Sequence, residues 1–436
     1  MKNLRFLGIL AISILAFSCT DELLTESQLE VVQLENDITQ SRESGELTGI
    51  SYSSSEIVLL YKEGTTLDQK INLRNKHAAD IRQIKKCARC DDPLEDGCSP
   101  FEVWDLYVDP NEKKGVLSDG SGDDEEIIKA VEVNFSFESG PNTIVTDASF
   151  SGSNNTNIAS LIANNRGIII AFLDTGIDYG NAAVFGTKPF LHDTSDSKYP
   201  QLHSGFNFVN NTINVYDDSS NGHGTKTASV ITEQLKKTPM DYELLPVKVL
   251  DKNGKGKYSD ILCGLQFALR EADVVNASLG WYGNANSTHP IFKSIISRYE
   301  QDKMIIASGG NDTSNNDGTA HYPSSFIHSN VLGIAASKNS YAENPNNDIA
   351  DYSNYGMTSL DFFANGSVTH PALGGNLYPS PRGTSFAAAR VTAIVAAYLD
   401  AMGTGPVTPF DVRNYLKNTG DPVLFSFSVS YDILLD

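Results

Sequence analysis

Positive charge is scarce in this 436-residue chain: 33 Lys+Arg stand against 54 Asp+Glu, a net −21 at pH 7. Such a surface repels a phosphate backbone, which excludes nucleic acid as a natural partner. The acidity serves solubility and would suit Ca2+, without assigning a site for it. Long apolar runs are nearly missing. The only one, Phe6 to Phe17, follows Lys2 and Arg5 and is too short to span a bilayer comfortably, so residues 1–18 read as a signal peptide. No internal repeat is evident. Cysteine is sparse, five in all, so each one has to be read by its surroundings. The remaining composition, 40% apolar and 9% aromatic, can bury more than one core and is too rich for disorder.

Ala16-Phe17-Ser18-Cys19 resembles a bacterial lipoprotein processing site, in which the cysteine becomes the lipidated first residue. Ala16 stands where Leu is usual. The expectation is an acyl anchor on Cys19 and a place in the cell envelope, as an outer-membrane lipoprotein of a Gram-negative bacterium. An ordinary signal peptide with an incidental cysteine is the alternative. Cys87, Cys90 and Cys98 share a polar loop with Asp91, Asp92, Glu95 and Asp96. In an exported protein they read as a disulfide with one thiol left over. Zinc would need a fourth ligand, for which His77 is the nearest candidate. Cys263, among Ile261, Leu262, Leu265 and Phe267, reads as a buried, inert thiol.

Residues 19–55 are rich in Glu, Gln, Ser and Thr and read as a flexible tether. The texture changes at Glu56. Strands are expected at 57–61, 103–108 and 132–137, with helices at 66–81 and 124–131, a small α+β module over 56–138. Residues 139–157 are Gly, Asn, Ser and Thr with little else, a linker. From 158 to 436, strands at 167–173, 244–250, 273–277, 304–307 and 331–335 alternate with helices at 225–235, 259–270 and 291–299. Two more helices follow, from Ser385 to about 402 and at 409–418. Strands apolar on both faces, interleaved with helices, give a doubly wound α/β domain on a mainly parallel sheet with helices on both faces. Such sheets keep their chemistry beyond the carboxyl ends of the strands.

Four segments lie at such places: Asp174-Thr175-Gly176-Ile177-Asp178, Asn221-Gly222-His223-Gly224-Thr225, Ser308-Gly309-Gly310-Asn311 and Gly383-Thr384-Ser385. Singly, each has a plain explanation. Asp174 would cap a turn, His223 would be a satisfied surface histidine, Asn311 a loop residue, and Ser385 the N-cap of a buried helix. Four together at equivalent positions point to chemistry. A serine hydroxyl is a weak nucleophile and needs a base within reach, which His223 supplies. The imidazole needs a carboxylate to hold its tautomer and balance its charge, which Asp174 supplies. An amide under attack develops an oxyanion, and the Asn311 side chain with the Ser385 N–H can receive it.

Together these residues resemble the subtilisin-like serine peptidases, in the family's order Asp, His, Asn, Ser. Leu245-Pro246-Val247-Lys248-Val249-Leu250, Gly254-Lys255-Gly256, Asn276-Ala277-Ser278-Leu279-Gly280, Tyr322-Pro323, Tyr352-Ser353-Asn354 and Asp361-Phe362-Phe363-Ala364 extend the resemblance over about 155–436. It implies a serine endopeptidase acting through an acyl-enzyme on Ser385. Ser278, Leu279, Gly280, Ser308, Gly309 and Gly310 would line a groove for an extended peptide. His321 would sit at the base of the specificity pocket, where glycine is common, and favour small or polar side chains before the cut. The module at 56–138, with 56–62 and 130–137 as outer strands, resembles the family's propeptide inhibitors. Cutting within 139–160 would leave the Cys19 lipid on that piece and free the mature enzyme or hold it by non-covalent contact alone. The stretch from His223 to Val247 lacks the Asn-rich loop of the calcium-binding members, so no metal or other cofactor is assigned. Arg390, in a buried helix, requires a partner that the sequence does not name. An inactive peptidase-fold binding lipoprotein, and a peptide ligase or cyclase using the same acyl-enzyme, are the competing functional readings.

Overall fold

The computed structural model describes residues 50–87, 100–118, 123–138, 158–163, 167–188, 190–283, 288–337, 349–373, 380–422, 429–431 and 433–435. The signal peptide, Cys19, most of the tether, Cys90, Cys98 and the linker lie outside them.

Alternation along the first strand, β1 (Ile50–Tyr61), decides how the N-terminal region packs. Ile57, Leu59 and Tyr61 face one way, onto Leu73, Trp104 and Leu117. Val58 and Leu60 face the other way, into a core shared with the rest of the protein. The first core is roofed by α1 (Leu67–Lys76) and α2 (Pro110–Ser118). Thr66 and Gln69 form a reciprocal capping box at the start of α1. β2 (Ile81–Lys85), β3 (Phe101–Leu106) and β4 (Ile128–Glu138) complete the antiparallel sheet. The helix expected at 124–131 is instead α2. Asp109 Oδ1 accepts the N–H groups of Asn111 and Glu112 and Pro110 opens the helix, a start signal that outweighs Gly115 in its middle. Residues 123–126 form only a 3-10 turn before β4.

The second region begins with β5 (Ile162–Ala163), β6 (Ile168–Asp174), the single turn α3 (Ala182–Phe185), β7 (Leu191–His192) and β8 (Phe206–Asn207). Next come α4 (His223–Leu235), β9 (Tyr242–Lys248), β10 (Lys255–Lys257), α5 (Tyr258–Glu271), β11 (Val274–Ala277) and β12 (Trp281–Tyr282). The chain continues with α6 (Pro290–Arg298), β13 (Met304–Ser308), β14 (His321–Tyr322), β15 (Val331–Ser337) and β16 (Phe362–Asn365). It ends with α7 (Thr384–Met402), α8 (Pro409–Thr419), β17 (Asp421–Pro422) and β18 (Ile433–Leu435). The large sheet runs β17-β18-β16-β15-β13-β11-β6-β9-β7-β5, and its central pairs are parallel. Alternate residues of β6 enter opposite cores: Ile170 and Phe172 pack with α4 and α7, Ala171 and Leu173 with α5 and α6. The helices therefore cover both faces, the doubly wound arrangement that continuous apolar strands require.

The N-terminal sheet is not closed at β4. β10 adds as a fifth strand, giving β10-β4-β1-β3-β2, with Gly256 opposite Phe137. β1 is thus internal rather than an outer strand, since both its edges are paired. The sheet face carrying Val58, Leu60, Val103 and Phe135 lies on α5, against Tyr258, Ile261 and Leu262. Phe135 stacks on Tyr258 at 4.5 Å. Cys87 is bonded to Cys263. This corrects both cysteine expectations: Cys87 does not pair within its own loop, and Cys263 is no inert thiol. The partners stand 176 residues apart in sequence, so no local pattern could join them. His77 is not free for zinc either, because Nε2 meets Asp124 at 3.0 Å and Nδ1 meets Lys113 Nζ at 2.6 Å.

Candidate active site

β6 delivers Asp174 to the carboxyl edge of the sheet, fully buried. α4 begins at His223, after Gly222 turns the chain through the left-handed region at φ 59°. The two elements close on each other because Gly224 has no side chain: a Cβ there would lie 2.1 Å from the Gly176 carbonyl oxygen. His223 Nδ1–H then donates to Asp174 Oδ1 at 2.7 Å, and the Thr175 N–H donates to the same oxygen at 2.7 Å. That hydrogen bond leaves Nε2 as the unprotonated nitrogen of the neutral ring.

Burial of His223 penalises its cation, but the Asp174 charge and hydrogen bond, with help from Asp217, outweigh it and raise the imidazole above its ordinary 6.5. Lys226, one turn along α4, pulls the other way. Its ammonium is itself buried and held by the Asn221 carbonyl, and burial brings it down to about 8. Asp217 is a residue the sequence reading passed over. It accepts from Thr175 and Ser219 on one oxygen and twice from Thr225 on the other, tying the Asp174 turn to the start of α4. Its only signal in the sequence was its place six residues before His223 in a polar loop.

Ser385 occupies the first turn of α7, where backbone N–H groups lack intrahelical partners. It is 6% exposed, and its hydroxyl donates to the Ser278 carbonyl at 3.5 Å. Among the described residues no hydrogen bond joins it to His223. The histidine nonetheless stands over the same helix start, its ring 5.7 Å from that of Phe386. Hydrogen bonds of this kind are commonly long without substrate. Behind Ser385 runs a buried polar chain: Thr392 donates to Asn276 Oδ1, Asn276 Nδ2 to Ser278 Oγ, and Ser278 Oγ to the Ser385 carbonyl.

Asn311 is clamped by its carbonyl end. Its Oδ1 accepts from the Thr384 N–H at 2.8 Å and the Thr384 hydroxyl at 3.0 Å, leaving the Nδ2 donors turned away from that clamp. The loop holding it is braced by Asn354, whose Oδ1 accepts from the Asp312 and Ser314 N–H groups and whose Nδ2 donates to Tyr282 and Asn316. Ser278 turns its hydroxyl inward and Leu279 enters the core, so backbone groups are what this segment leaves toward the site. Ser308 likewise donates to the Leu279 carbonyl, joining the segments.

His321 is wedged between the two segments. A Cβ on Gly280 would meet its Cε1 at 2.1 Å, and one on Gly310 its Cδ2 at 3.1 Å. The Ser324 hydroxyl donates to the His321 carbonyl at 2.8 Å, so at 3.1 Å it accepts from Nδ1–H. Nε2 is then a bare acceptor. Burial pushes this imidazole down to about 4, so it is neutral at pH 7.

A family model described as the subtilase family matches residues 165–429. The chain belongs to that family. Subtilisin amylosacchariticus of Bacillus subtilis subsp. amylosacchariticus is 32% identical over 235 residues, 51% of this subtilase and 57% of its own length. A subtilisin of Bacillus pumilus is 31% identical over 243 residues, 53% and 82% respectively. The match therefore spans little more than half of the B. subtilis protein. In fold, the subtilase is similar to the epidermin leader peptide processing serine protease of Staphylococcus aureus, with TM-score 0.54 and 14% identity over 88% of this chain and 97% of that one. Among the described residues no group of three or more His, Cys, Asp or Glu could hold a metal.

Proposed function

We propose that this subtilase is a serine endopeptidase. Ser385 is the nucleophile, and His223 Nε2 takes its proton as the hydroxyl attacks the scissile carbonyl. Asp174 holds the ring and stabilises the imidazolium that forms. The oxyanion is received by Asn311 Nδ2 and the Ser385 N–H. Collapse expels the amine, protonated by His223, and water then releases the acyl group by the same steps. The observation that supports this best is the buried 2.7 Å His223–Asp174 hydrogen bond facing the helix start that bears Ser385. A fluorophosphonate probe is expected to label the wild type at Ser385 and not the Ser385→Ala chain. Absence of label on the folded wild type would leave a binding protein on a peptidase fold.

The substrate in this reading is a peptide laid as an extended strand along 278–280 and 308–310. The neutral His321 ring shortens the pocket before the cut and offers an acceptor nitrogen, which favours small or polar side chains. A peptide-library profile dominated by Phe or Tyr would reject this. The N-terminal module is proposed as an inhibitor, since Phe137 of β4, opposite Gly256 of β10, lies 5.1 Å from the Trp281 ring, next to Gly280. Self-processing would make the wild type shorter than Ser385→Ala; identical intact bands would remove it. A lipid anchor on Cys19 and a place in the cell envelope are proposed from the signal sequence alone, and metabolic labelling with a palmitate analogue tests them.

A further inference from the structure

The N-terminal module touches the peptidase region at opposite borders of its sheet. At one border β4 pairs with β10. At the other, the chain leaving β2 carries Cys87 to Cys263, on the helix that follows β10 directly. The sheet is thus laid across α5 and fixed at both sides. Between these points the shared core is continuous, with Val58, Leu60, Phe101 and Phe135 against Tyr258, Ile261, Leu262 and Leu265. Polar pairs also cross it. Glu56 meets Lys257 at 2.6 Å, Asn134 exchanges hydrogen bonds with Ser259, and Glu132 accepts from the Tyr258 hydroxyl and the Ile291 N–H. Cys87 is buried within this seam.

We propose that the Cys87–Cys263 bond makes the N-terminal module a covalent subunit of the peptidase, so that cutting the chain between 138 and 158 releases nothing. The product is a two-chain protein, and its parts separate only when a dithiol, or two thiol molecules, supply two electrons and two protons to open the bond into two thiols while closing to a disulfide themselves. Non-covalent docking alone would fail on dilution, because separated partners re-encounter one another at their bulk concentration. A bonded pair keeps its effective concentration at any dilution. In this proposal an enzyme freed by the cut, or held by non-covalent contact alone, gives way to one in which proteolysis and reduction must both occur before the parts separate. Any anchor upstream of Cys87 would also remain attached to the peptidase after the cut.

The test uses the full chain carrying Ser385→Ala, with a site-specific protease recognition sequence placed within 139–157, so its outcome is independent of whether the protein cuts peptides. After digestion and alkylation of free thiols, a denaturing gel without reductant is expected to show one band at the uncut mass. Dithiothreitol, which donates two electrons and closes to its own cyclic disulfide, is expected to resolve it into two. Two bands without reductant would overturn the proposal, as would peptide mapping that joins Cys87 to Cys90 or Cys98. Cys263→Ser in the same cut chain is expected to give two bands without reductant. A single band from that variant would show another bond holding the pieces and would equally overturn it.

Discussion

At His223, two charged neighbours act in opposite senses. Asp217 raises its pKa and Lys226 lowers it, while Asp174 supplies the larger raising effect against burial. In the proposed reaction His223 must be neutral to take the serine proton, so activity is expected to rise as pH climbs through this pKa, with the acid limb above the ordinary value near 6.5. Asp217→Asn removes a raising charge and is expected to move the limb to lower pH. Lys226→Gln removes a lowering charge and is expected to move it higher. Profiles of kcat/KM against pH check both; shifts of the same sign in the two variants would contradict the assignment. For stability the sign is the reverse of a carboxylate's: a raised histidine pKa stabilises the fold below its unfolded value and loses that contribution as pH rises through the folded one. His321 is a separate matter of shape. His321→Gly is expected to admit Phe and Tyr before the cut, raising kcat/KM for such substrates by about tenfold or more, as ~1–3 kcal/mol of pocket contact allows. Parallel assays on Ala- and Phe-containing peptides check this.

The elements were legible wherever one physical signal dominated. β6 and β13 are apolar runs that close on a single polar residue, Asp174 and Ser308, at the sheet edge, whereas β11 carries Asn276 inside the strand. Two of the four candidate segments follow such runs, at Asp174 and Ser308, and the other two open the helices α4 and α7. α2 was misplaced because two lysines and a glycine blur its apolar face, whereas the Asp109-Pro110 start was present to be read. β2 was missed because it is short and polar on an edge, with the pattern Ile81-Arg82-Gln83-Ile84-Lys85. Helix α7 shows the other limit. Phe386 to Leu399 is mostly Ala, Val, Ile, Phe and Leu, which suits a core position, but the partners of Arg390 come from elsewhere in the chain. Nε and Nη2 donate to the Asn365 and Ser367 carbonyls at 3.1 and 3.2 Å, and Nη1 to Gln234 at 3.3 Å. Arg390 thus pins α7 to the end of β16 and to α4. Arg390→Met would leave those acceptors without their charged donor, a loss of about 2–4 kcal/mol. The melting temperature is expected to fall by roughly 4–15 °C at about 2–4 °C per kcal/mol, and calorimetry checks it.

Across the whole molecule, the two regions share a core and a covalent bond, and both features favour unfolding as one unit. Residues 48–436 form one compact unit, and the sheet face on α5 cannot be bared without exposing Val58, Leu60, Phe101 and Phe135. In the intact chain the Cys87–Cys263 bond closes a loop of 176 residues, which restricts the unfolded chain more than a local bridge would. The chain-entropy account puts a loop of this length at roughly 5 kcal/mol, and losing a native bond of this kind typically costs about 2–5 kcal/mol. Cys263→Ser is therefore expected to lower the denaturant midpoint of the uncut protein. If the regions unfold cooperatively, a tryptophan signal from Trp104 in the N-terminal core and one from Trp281 beside α6 fall together, each isolated by replacing the other with Phe. In Cys263→Ser the Trp104 transition is expected to separate and move to lower denaturant, since β4–β10 pairing and the non-covalent seam with α5 and α6 then hold the module without the bond. Coincident transitions at the wild-type midpoint would mean that burial alone secures the seam and that the bond contributes nothing to the fold.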